Sequence, residues 1–341
     1  MDWVTWRLAI DEALYGERGF YRRGERPAAH FRTSVSASQR YAAALGRLLT
    51  EVDAALDRPP ALHLVDIGAG SGELLTQIMA AVPDLANRLV PTAVELAPRP
   101  ADLPAGIRWA EEVPDELTGL VLANEWLDNV PLDVVELTPD GPRVVLVDPA
   151  SGTELTGPPP ARADAEWVAR WWPLREPGDR AEVGRPRCAA WAAVVARVRR
   201  GLAVAVDYGH ARTGRPAYGT LTGYRDGHVV PPVPDGSCDV TAHVALDACA
   251  DAGVRAGATA TLLTSQRAAL RALGVSGARP PVDLARRDPR AYLGALCGAG
   301  EEAELIDPNG LGGFGWLVQS VGIPLPAKLH LGPVATAVDE S

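Results

Sequence analysis

Hydrophobic side chains recur every three to four positions in two stretches near the beginning of the chain, over residues 2–15 and 36–56. This spacing predicts two helices, because residues three and four apart lie on the same face of a helix. Glycines and a proline interrupt the pattern between the two stretches, which predicts a loop there. Pro59 and Pro60 end the second helix, since proline lacks the backbone N–H that a helix interior needs.

Short, almost uninterrupted apolar runs follow. They cover residues 62–66, 89–95, 120–123 and 202–207, and such runs are typical of strands buried on both faces of a parallel sheet. Helical spacing lies between them, so the alternation predicts an α/β fold with a parallel sheet. A last strand is predicted over 315–321, and further helices directly after residue 72 and over 186–200, 242–252 and 264–273.

The composition of the chain changes near residue 138. Residues 138–182 are rich in proline and glycine, which predicts an irregular insertion that begins with a β-hairpin near 132–147. Residues 209–240 also lack a helical or strand pattern and are predicted to form a loop. The sequence therefore predicts an N-terminal helical cover over 1–58, a core made of 59–137 and 183–341, and an insertion over 138–182.

Composition narrows the function classes. The 341 residues are 47% hydrophobic and carry a formal net charge of −10, so we expect a packed core and no nucleic-acid partner, which would require a basic face. No apolar run approaches the roughly 20 residues that a membrane span needs, and no signal peptide is evident. We therefore expect a cytoplasmic protein without a membrane partner. The spacing of the cysteines and histidines predicts no metal site, and a homodimer remains open.

A glycine-rich turn joins the first predicted strand to the helix that follows it. Asp66 ends the strand, and Gly68, Gly70 and Gly72 come next. Glycines allow a tight turn and close approach to a ligand, and the helix N-terminus offers free N–H groups. A dinucleotide fingerprint would place its third glycine at position 73, where Glu73 stands. The pattern D-x-G-x-G-x-G instead resembles motif I of class I S-adenosylmethionine (SAM) methyltransferases.

Acidic residues stand at the ends of the next predicted strands. Glu95 ends the second strand, where a carboxylate can accept hydrogen bonds from both ribose hydroxyls of a nucleoside. Glu111 follows a predicted third strand near residues 107–110. Glu111 and Glu112 can equally be interpreted as a pair of solvent-exposed acidic residues. Glu125 and Asp128 come after the strand at 120–123 and share a face if a helical turn begins there. Ligands bind at this edge of open α/β sheets.

Several segments together resemble the DUF185 or MidA-type SAM-dependent methyltransferases, the group that includes the mitochondrial complex I assembly-factor arginine methyltransferase. Residues 123–131 are similar to the family motif A-N-E-F-x-D-A-x-P, with Trp126 and Asn129 as departures. His30 departs from the usual Gly-Asp, and 138–182 show little similarity. The other matching segments are 19–21 with 31–34 (G-Y-Y … D-F-x-T-S), 66–72 (the glycine loop), and 206–209, 219–221 and 239–244 (D-Y-G … G-T-L … D-I-T-x-H-V).

The resemblance implies a class I, Rossmann-like methyltransferase core with SAM as cofactor and the insertion on the substrate side. Glu125 and Asp128 are then the candidate catalytic residues, because two carboxylates can orient a guanidinium acceptor. An acidic residue at position 111 would lie near the adenine amino group. The implied cofactor-binding residues are Asp66, Gly68, Gly70, Gly72, Glu95, Glu111 and Asn124, and the weaker substrate candidates are Tyr21, Asp207, Tyr208 and His243.

Three alternatives stay open. The first is an NAD-dependent oxidoreductase, which the position of the third glycine opposes. The second is an assembly or scaffold protein that keeps the SAM fold without turnover. The third is a methyltransferase whose acceptor is a small metabolite or peptide rather than a protein arginine or another nitrogen or oxygen group. Asp207 and His243 also have structural interpretations, as a strand-end cap and as a hydrogen-bonding residue near a helix start. Asp239 or Thr241 is expected to cap that helix.

Overall fold

The computed structural model describes residues 3–17, 19–22 and 33–329. The strands in this part of the chain are β1 (Val4–Thr5), β2 (Leu62–Ile67), β3 (Leu89–Val94), β4 (Arg108–Ala110), β5 (Leu117–Asn124), β6 (Val134–Thr138), β7 (Gly141–Val147), β8 (Glu154–Thr156), β9 (Arg180–Glu182), β10 (Val198–Asp207), β11 (Gly209–His210), β12 (Thr222–Arg225), β13 (His228–Val230), β14 (Asp239–Thr241), β15 (Val244–Ala245), β16 (Ala260–Ser265) and β17 (Gly315–Val321). The helices are α1 (Trp6–Tyr15), α2 (Ser34–Ala37), α3 (Gln39–Ala55), α4 (Glu73–Ala81), α5 (Arg162–Trp171), α6 (Arg185–Ala196), α7 (Leu246–Arg255), α8 (Gln266–Ala272), α9 (Val282–Arg287) and α10 (Pro289–Leu305).

A large twisted sheet carries the fold, with the strand order β4-β3-β2-β5-β10-β17-β16 among the described residues. Strands β4, β3, β2, β5 and β10 are parallel, and β17 runs antiparallel to both of its neighbours. The chain proceeds from β2 to β3 on one side and later returns to β5 on the other. The strand order therefore reverses between β2 and β5, and ligands bind at this kind of switch point in open α/β sheets.

Both faces of this sheet are buried, which explains the unbroken apolar runs in the sequence. Leu120 and Leu122 of β5 point into one hydrophobic core, which α3, α4 and α8 also fill. Val121 and Ala123 point into the opposite core, against α6 and α7. Because side chains alternate along a strand, each strand contributes to both layers.

A second sheet is built from strands between residues 134 and 182, and β1 from near the beginning of the chain joins it. Its order is β1-β7-β6-β9, with β8 paired to β7. Trp6 and Ile10 of α1 pack on Val134 and Val145 of this sheet and on Val240 of β14. Helix α1 therefore lies against the second sheet, whereas α3 packs on the large one. The predicted division into cover, core and insertion stays a prediction.

Most predicted elements are confirmed: the α/β fold, the strands of the large sheet, and the hairpin, which is formed by β6 and β7. Two predictions are wrong in part. Residues 138–182 contain α5 and two short strands, and 209–240 contain β12 and β13 rather than only loop. These strands are three or four residues long, too short to show an alternating pattern, and β9 pairs with the remote β6. The Asp226-Gly227 turn that joins β12 to β13 is a local hairpin signal that the prediction overlooked. Strand β16 and helices α9 and α10 were not predicted.

Within the described ranges, none of the helices combines the length and the apolar character that crossing a bilayer requires.

Candidate functional site

A cavity of about 820 Å³ opens at the carboxyl ends of the parallel strands, at the switch point of the large sheet. The segments that follow the parallel strands line the cavity in the order of the strands in the sheet. The segment after β4 lies at one end, the segments after β3, β2 and β5 come next, and the segment after β10 lies at the other end. Helix α1 and strand β14 contribute side chains at the β10 end. This volume is in the range of small-molecule and cofactor sites.

The glycine loop after β2 forms the floor of the cavity. Gly68, Gly70 and Gly72 have φ values of 69°, 54° and 74°, a region that favours glycine. A Cβ atom on Gly68 would lie 3.0 Å from the Trp126 ring, and one on Gly72 would lie 2.5 Å from Leu103. A Cβ atom on Gly70 would meet no protein atom within 4 Å. A Cβ atom at position 68 or 72 would therefore require Trp126 or Leu103 to move, whereas at Gly70 the space is open beside the cavity.

Glu95 connects the glycine loop to the end of β3. One carboxylate oxygen, Oε2, accepts a hydrogen bond from the backbone N–H of Gly70 (2.9 Å). The other, Oε1, accepts from the N–H groups of Leu96 (2.7 Å) and Ala97 (3.1 Å). Asp66 is buried next to it, and burial followed by the Glu95 charge raises the pKa of Asp66 to about 8. Glu111 is exposed and lines the end of the cavity beyond Glu95, together with Glu112.

Asn124 and Glu125 lie where β5 reaches the cavity. Glu125 has a φ of 51°, in the left-handed region that a non-glycine residue occupies at a cost of about 1–2 kcal/mol. Its Oε1 accepts from the N–H of Ser34 (3.3 Å) and from Asn124 Nδ2 (3.1 Å), and the Tyr41 hydroxyl donates to Asn124 Oδ1 (2.6 Å). Burial, with the charge of Asp128, raises the pKa of Glu125 to about 7.

Asp128 stands in a short 3₁₀ turn, 127–129, and is 2% exposed. Its Oδ2 accepts from the Tyr208 hydroxyl (2.5 Å) and from Thr241 Oγ1 (2.9 Å). Its Oδ1 is enclosed and makes no hydrogen bond of standard geometry among the described residues, although the nearby backbone N–H of Asn129 lowers the pKa of the carboxyl. Burial raises the pKa of Asp128, and the Tyr208 hydrogen bond and the Arg187 charge oppose the rise.

Asp207 lies behind this turn rather than at the cavity surface. Its Oδ2 accepts from the backbone N–H groups of Leu127 (3.0 Å) and Asp128 (3.2 Å), and the side chain is fully buried. The carboxylate therefore holds the turn that carries Asp128. His243 is exposed, with its ring 5.5 Å from the Tyr208 ring, and is not among the residues that line the cavity.

Arg187 of α6 ties the turn to the loop between β14 and β15. It is 2% exposed, and it donates to the backbone carbonyls of Val130 (3.1 Å), Ala242 (2.8 Å), His243 (3.0 Å) and Asp128. A buried guanidinium with this many carbonyl partners fixes the three segments that it joins. Sequence patterns missed Arg187, because an arginine in an apolar helix is normally interpreted as a surface residue.

Two residues that the sequence analysis did not select line the β10 end of the cavity, Tyr15 and Asp239. The prediction that Asp239 or Thr241 caps a helix is wrong: both lie in β14, and α7 begins only at Leu246. The hydroxyl of Tyr21, a predicted substrate residue, donates to Asp239 Oδ2 (3.2 Å), and the Tyr15 and Tyr21 rings are stacked at 5.8 Å. The only sequence feature that pointed to Asp239 was the family motif at residues 239–244.

The cavity thus gathers most of the predicted site residues. Gly72, Asp207 and His243 are not among its lining residues. The segment 31–34 continues into the cavity wall at Thr33, whereas His30, Phe31 and Arg32 lie outside the described residues. The site roles given to all of these residues stay predictions.

Comparisons with known proteins agree with the geometry. The family model described as "Putative S-adenosyl-L-methionine-dependent methyltransferase" matches residues 44–264. A crystal structure of a COG1565 superfamily member from Burkholderia thailandensis, bound to S-adenosyl-homocysteine, aligns with a TM-score of 0.79 and 26% identity, over 96% of this chain and 90% of that one. A native structure of a COG1565 superfamily protein from the same organism gives 0.78 and 27%, over 96% and 90%. No curated protein matches the chain.

The residues present fit SAM. Gly70 leaves open space beside the cavity where a Cβ atom would otherwise project. Glu95 offers a carboxylate at the end of β3, the position that holds a ribose in nucleoside-binding α/β folds. Glu125, Asp128 and Asp239 add acidic groups suited to a sulfonium cation.

Proposed function

The chain belongs to the DUF185/COG1565 family of SAM-dependent methyltransferases, and from this premise we propose that its methyl acceptor is a protein arginine or a related nitrogen or oxygen group. SAM is its cofactor. Glu95, Glu111, Asp66 and the glycine loop are proposed to hold it, with Asn124 at the strand end. The proposed site spans the cavity, with the cofactor at the β3 and β4 end and the acceptor at the β10 end.

One observation carries the proposal: two acidic side chains three residues apart, Glu125 and Asp128, line the cavity where β5 ends, next to the β10 end. A guanidinium presents several N–H donors in a plane and matches two carboxylates better than a hydroxyl does.

When bound, SAM supplies an electrophilic methyl group on a sulfonium. The residues of the chain need to hold the acceptor nitrogen in line with that group, which is a positioning task. Asp128 is fixed for it by Tyr208 and Thr241, and its turn is held by Asp207. Glu125 is held by Ser34 and Asn124.

Methylation of a guanidinium nitrogen releases one proton from that nitrogen. A carboxylate whose pKa lies near the working pH is the most effective acceptor for it. Glu125 meets this condition, because burial raises its pKa to about 7. We therefore assign to Glu125 the transfer of this proton towards solvent, and to Asp128 the orientation of the acceptor.

The test is to find where the methyl group goes. The purified protein is incubated with methyl-labelled SAM and a lysate that lacks this protein, and the label is located by mass spectrometry. The expected result is label on an arginine side chain of a protein. Label on a small metabolite or free peptide would replace the proposed acceptor class, and SAM binding without any labelled product would support a scaffold role.

A further inference from the structure

Glu125 offers the cavity one of its two carboxylate oxygens. The side chain is partly exposed and lines the cavity. Its Oε1 accepts two hydrogen bonds, from the backbone N–H of Ser34 and from Asn124 Nδ2. Its Oε2 accepts none within the described ranges and, in contrast to Asp128 Oδ1, it is not enclosed. Oε2 is therefore the oxygen that a ligand can meet, and the two donors on Oε1 determine where it points.

The orientation of the Asn124 amide is fixed by Tyr41 of α3. An ionised carboxylate only accepts hydrogen bonds, so Asn124 must turn its NH₂ group towards Glu125 and its carbonyl oxygen away. That carbonyl oxygen, Oδ1, accepts from the Tyr41 hydroxyl at 2.6 Å. Tyr41 is fully buried, so its hydroxyl has a fixed position. A flipped amide would set its carbonyl oxygen against the carboxylate and leave the Tyr41 hydroxyl without its acceptor.

The second donor to Glu125, the backbone N–H of Ser34, is held in place by a buried glutamine. Gln266, the first residue of α8, donates from Nε2 to Ser34 Oγ (3.0 Å) and to the carbonyl of Leu305 (3.3 Å). Its Oε1 accepts from Trp316 Nε1 (3.4 Å). Ser34, Gln266 and Trp316 are all fully buried. Polar groups in such a network rigidify one another, so the Ser34 N–H keeps its position.

The backbone of Glu125 is also held. Its N–H donates to the carbonyl of Val206 in β10 (2.7 Å), and its φ of 51° lies in the left-handed region. A non-glycine residue keeps this conformation only where the surrounding structure imposes it, and such residues cluster at functional sites. Residues 34–41 thus act on a carboxylate whose backbone is already fixed, and they determine the direction of its side chain.

We propose that Tyr41 is a positioning residue of the methyl-transfer site: its hydroxyl fixes the amide of Asn124, and this amide directs Glu125 Oε2 into the cavity. The inference rests on the proposed function, in which Glu125 takes the proton of the acceptor, and deepens it. Tyr41 is not among the described residues that line the cavity, so it acts through Asn124. Without the hydroxyl the amide rotates about its terminal torsion, which has no strong preference of its own. The donor on Glu125 Oε1 is then weakened.

Titratable groups on several elements surround Glu125. Asp128 lies in the 3₁₀ turn, Asp207 at the end of β10, and Tyr41 in α3, whereas α2 contains no titratable side chain. Asp66 at the end of β2 acts on Tyr41. Burial, followed by the charges of Glu125 and Asp66, raises the pKa of Tyr41 well above its ordinary value, so that Tyr41 stays neutral and acts only as a hydrogen-bond donor.

The hydrogen bond from Asn124 affects how readily Glu125 ionises. Burial raises the pKa of Glu125 to about 7, the Asp128 charge adds to the rise, and the hydrogen bond from Asn124 opposes it. Weakening this hydrogen bond therefore raises the pKa of Glu125 further. A smaller fraction of Glu125 is then ionised at pH 7 and able to take a proton.

The test follows the titration of Glu125 itself and needs no methyl acceptor. The glutamate carboxyl carbons are labelled with ¹³C, the Glu125 signal is identified by its absence from Glu125→Gln, and its midpoint is measured by NMR without cofactor. We expect Tyr41→Phe to raise the midpoint by about one pH unit, the size expected when a hydrogen bond to a charged group is lost. Tyr218→Phe removes the hydroxyl of a tyrosine that is 78% exposed; it is the matched control and should leave the midpoint unchanged. A merely structural role of Tyr41 would lower stability without moving the midpoint.

A second variant keeps the test informative if Tyr41→Phe folds poorly. Asn124→Ala removes the amide altogether and should raise the Glu125 midpoint at least as far. The double variant shows whether Tyr41 acts through Asn124, because its midpoint should then equal that of Asn124→Ala alone. An unmoved midpoint in either single variant, or effects that add in the double variant, would overturn the role of Tyr41.

The positioning role and the proposed function fail separately. With methyl-labelled SAM and the lysate, the pH at which labelling rises should move upwards in Tyr41→Phe, as the Glu125 midpoint does. Labelled product from the wild type with an unmoved Glu125 midpoint in Tyr41→Phe would overturn the role of Tyr41 alone. A raised midpoint with no labelled product from the wild type would overturn the proposed function and leave the control of Glu125 by Tyr41 standing.

Discussion

The carboxylates that line the cavity differ in the hydrogen-bond donors that hold them. Glu125 and Asp128 are three residues apart, yet Glu125 is held by a backbone N–H and an amide, and Asp128 by two hydroxyls. The sequence predicted both positions from their place after a strand. It could not separate the two roles, because Tyr208 and Thr241 reach Asp128 only through the tertiary fold.

Glu125→Gln tests the proton-accepting role. The change keeps the shape and removes the ability to take a proton, so we expect the rate of methyl transfer to fall by about 10²-fold or more. The affinity for S-adenosyl-homocysteine should change little. Single-turnover rates and calorimetry measure the two quantities, with the exposed Glu166→Gln as control. A Glu125→Gln protein that binds SAM and methylates at the wild-type rate would refute the role.

The raised pKa of Asp239 makes a prediction about stability. An unfolded aspartate has a pKa near 3.9, whereas burial raises the pKa of Asp239 to about 8 in the folded protein. Between about pH 4 and pH 8 the folded state therefore holds a proton that the unfolded state has lost. The free energy of unfolding decreases as the pH rises through this window.

Asp239→Asn removes this one contribution, whereas Asp66, which has the same sign, is present in both proteins. We expect the stability of the variant relative to wild type to increase from pH 5 to pH 8.5. Urea unfolding of both proteins at several pH values measures the difference. A difference that stays constant with pH would show that Asp239 is ionised throughout.

At the scale of elements, the strand–loop–helix unit from β2 to α4 was the most predictable part of the site. Its signals are local: an apolar run, three glycines at fixed spacing and a helical pattern. The structure adds that the three glycines serve different needs, since Gly68 and Gly72 pack against side chains and Gly70 borders open space.

Alanine substitutions separate these needs. Gly70→Ala and Gly72→Ala both place alanine in a left-handed conformation, at a cost of about 1–2 kcal/mol. Gly72→Ala should lose a little further stability, because its Cβ atom displaces the terminal methyl group of the buried Leu103. Gly70→Ala should instead lose more affinity for S-adenosyl-homocysteine. Unfolding free energies and binding constants of both variants test this, and equal losses of both quantities would contradict the distinction.

The β14 segment was the least predictable element of the site. It is three residues long and pairs with β12, and its predicted role was to cap a helix. Nothing in its local pattern indicates that Asp239 lines a cavity built at the ends of the large sheet's parallel strands. Arg187 is a similar case, because its partners are backbone carbonyls of segments far from it in the chain.

At the scale of the whole molecule, the order of strands explains why the candidate site residues converge. Glu111, Glu95, Glu125 and Tyr208 each follow a different strand, and the sheet places those strand ends in one row. The α/β alternation in the sequence was sufficient to predict this row. The second sheet was only partly predictable, since β1 joins β7 from the opposite end of a long stretch of chain.

The central claim is that one cavity holds the cofactor at the Glu95 end and the acceptor at the β10 end, beside Glu125 and Asp128. A crystal structure of the chain with S-adenosyl-homocysteine tests it most directly. The account predicts ribose hydroxyls bonded to Glu95, the adenine towards Glu111, and the sulfur facing Glu125 and Asp128. An adenine placed among Tyr15, Tyr21 and Asp239, with the sulfur directed away from these carboxylates, would contradict the account.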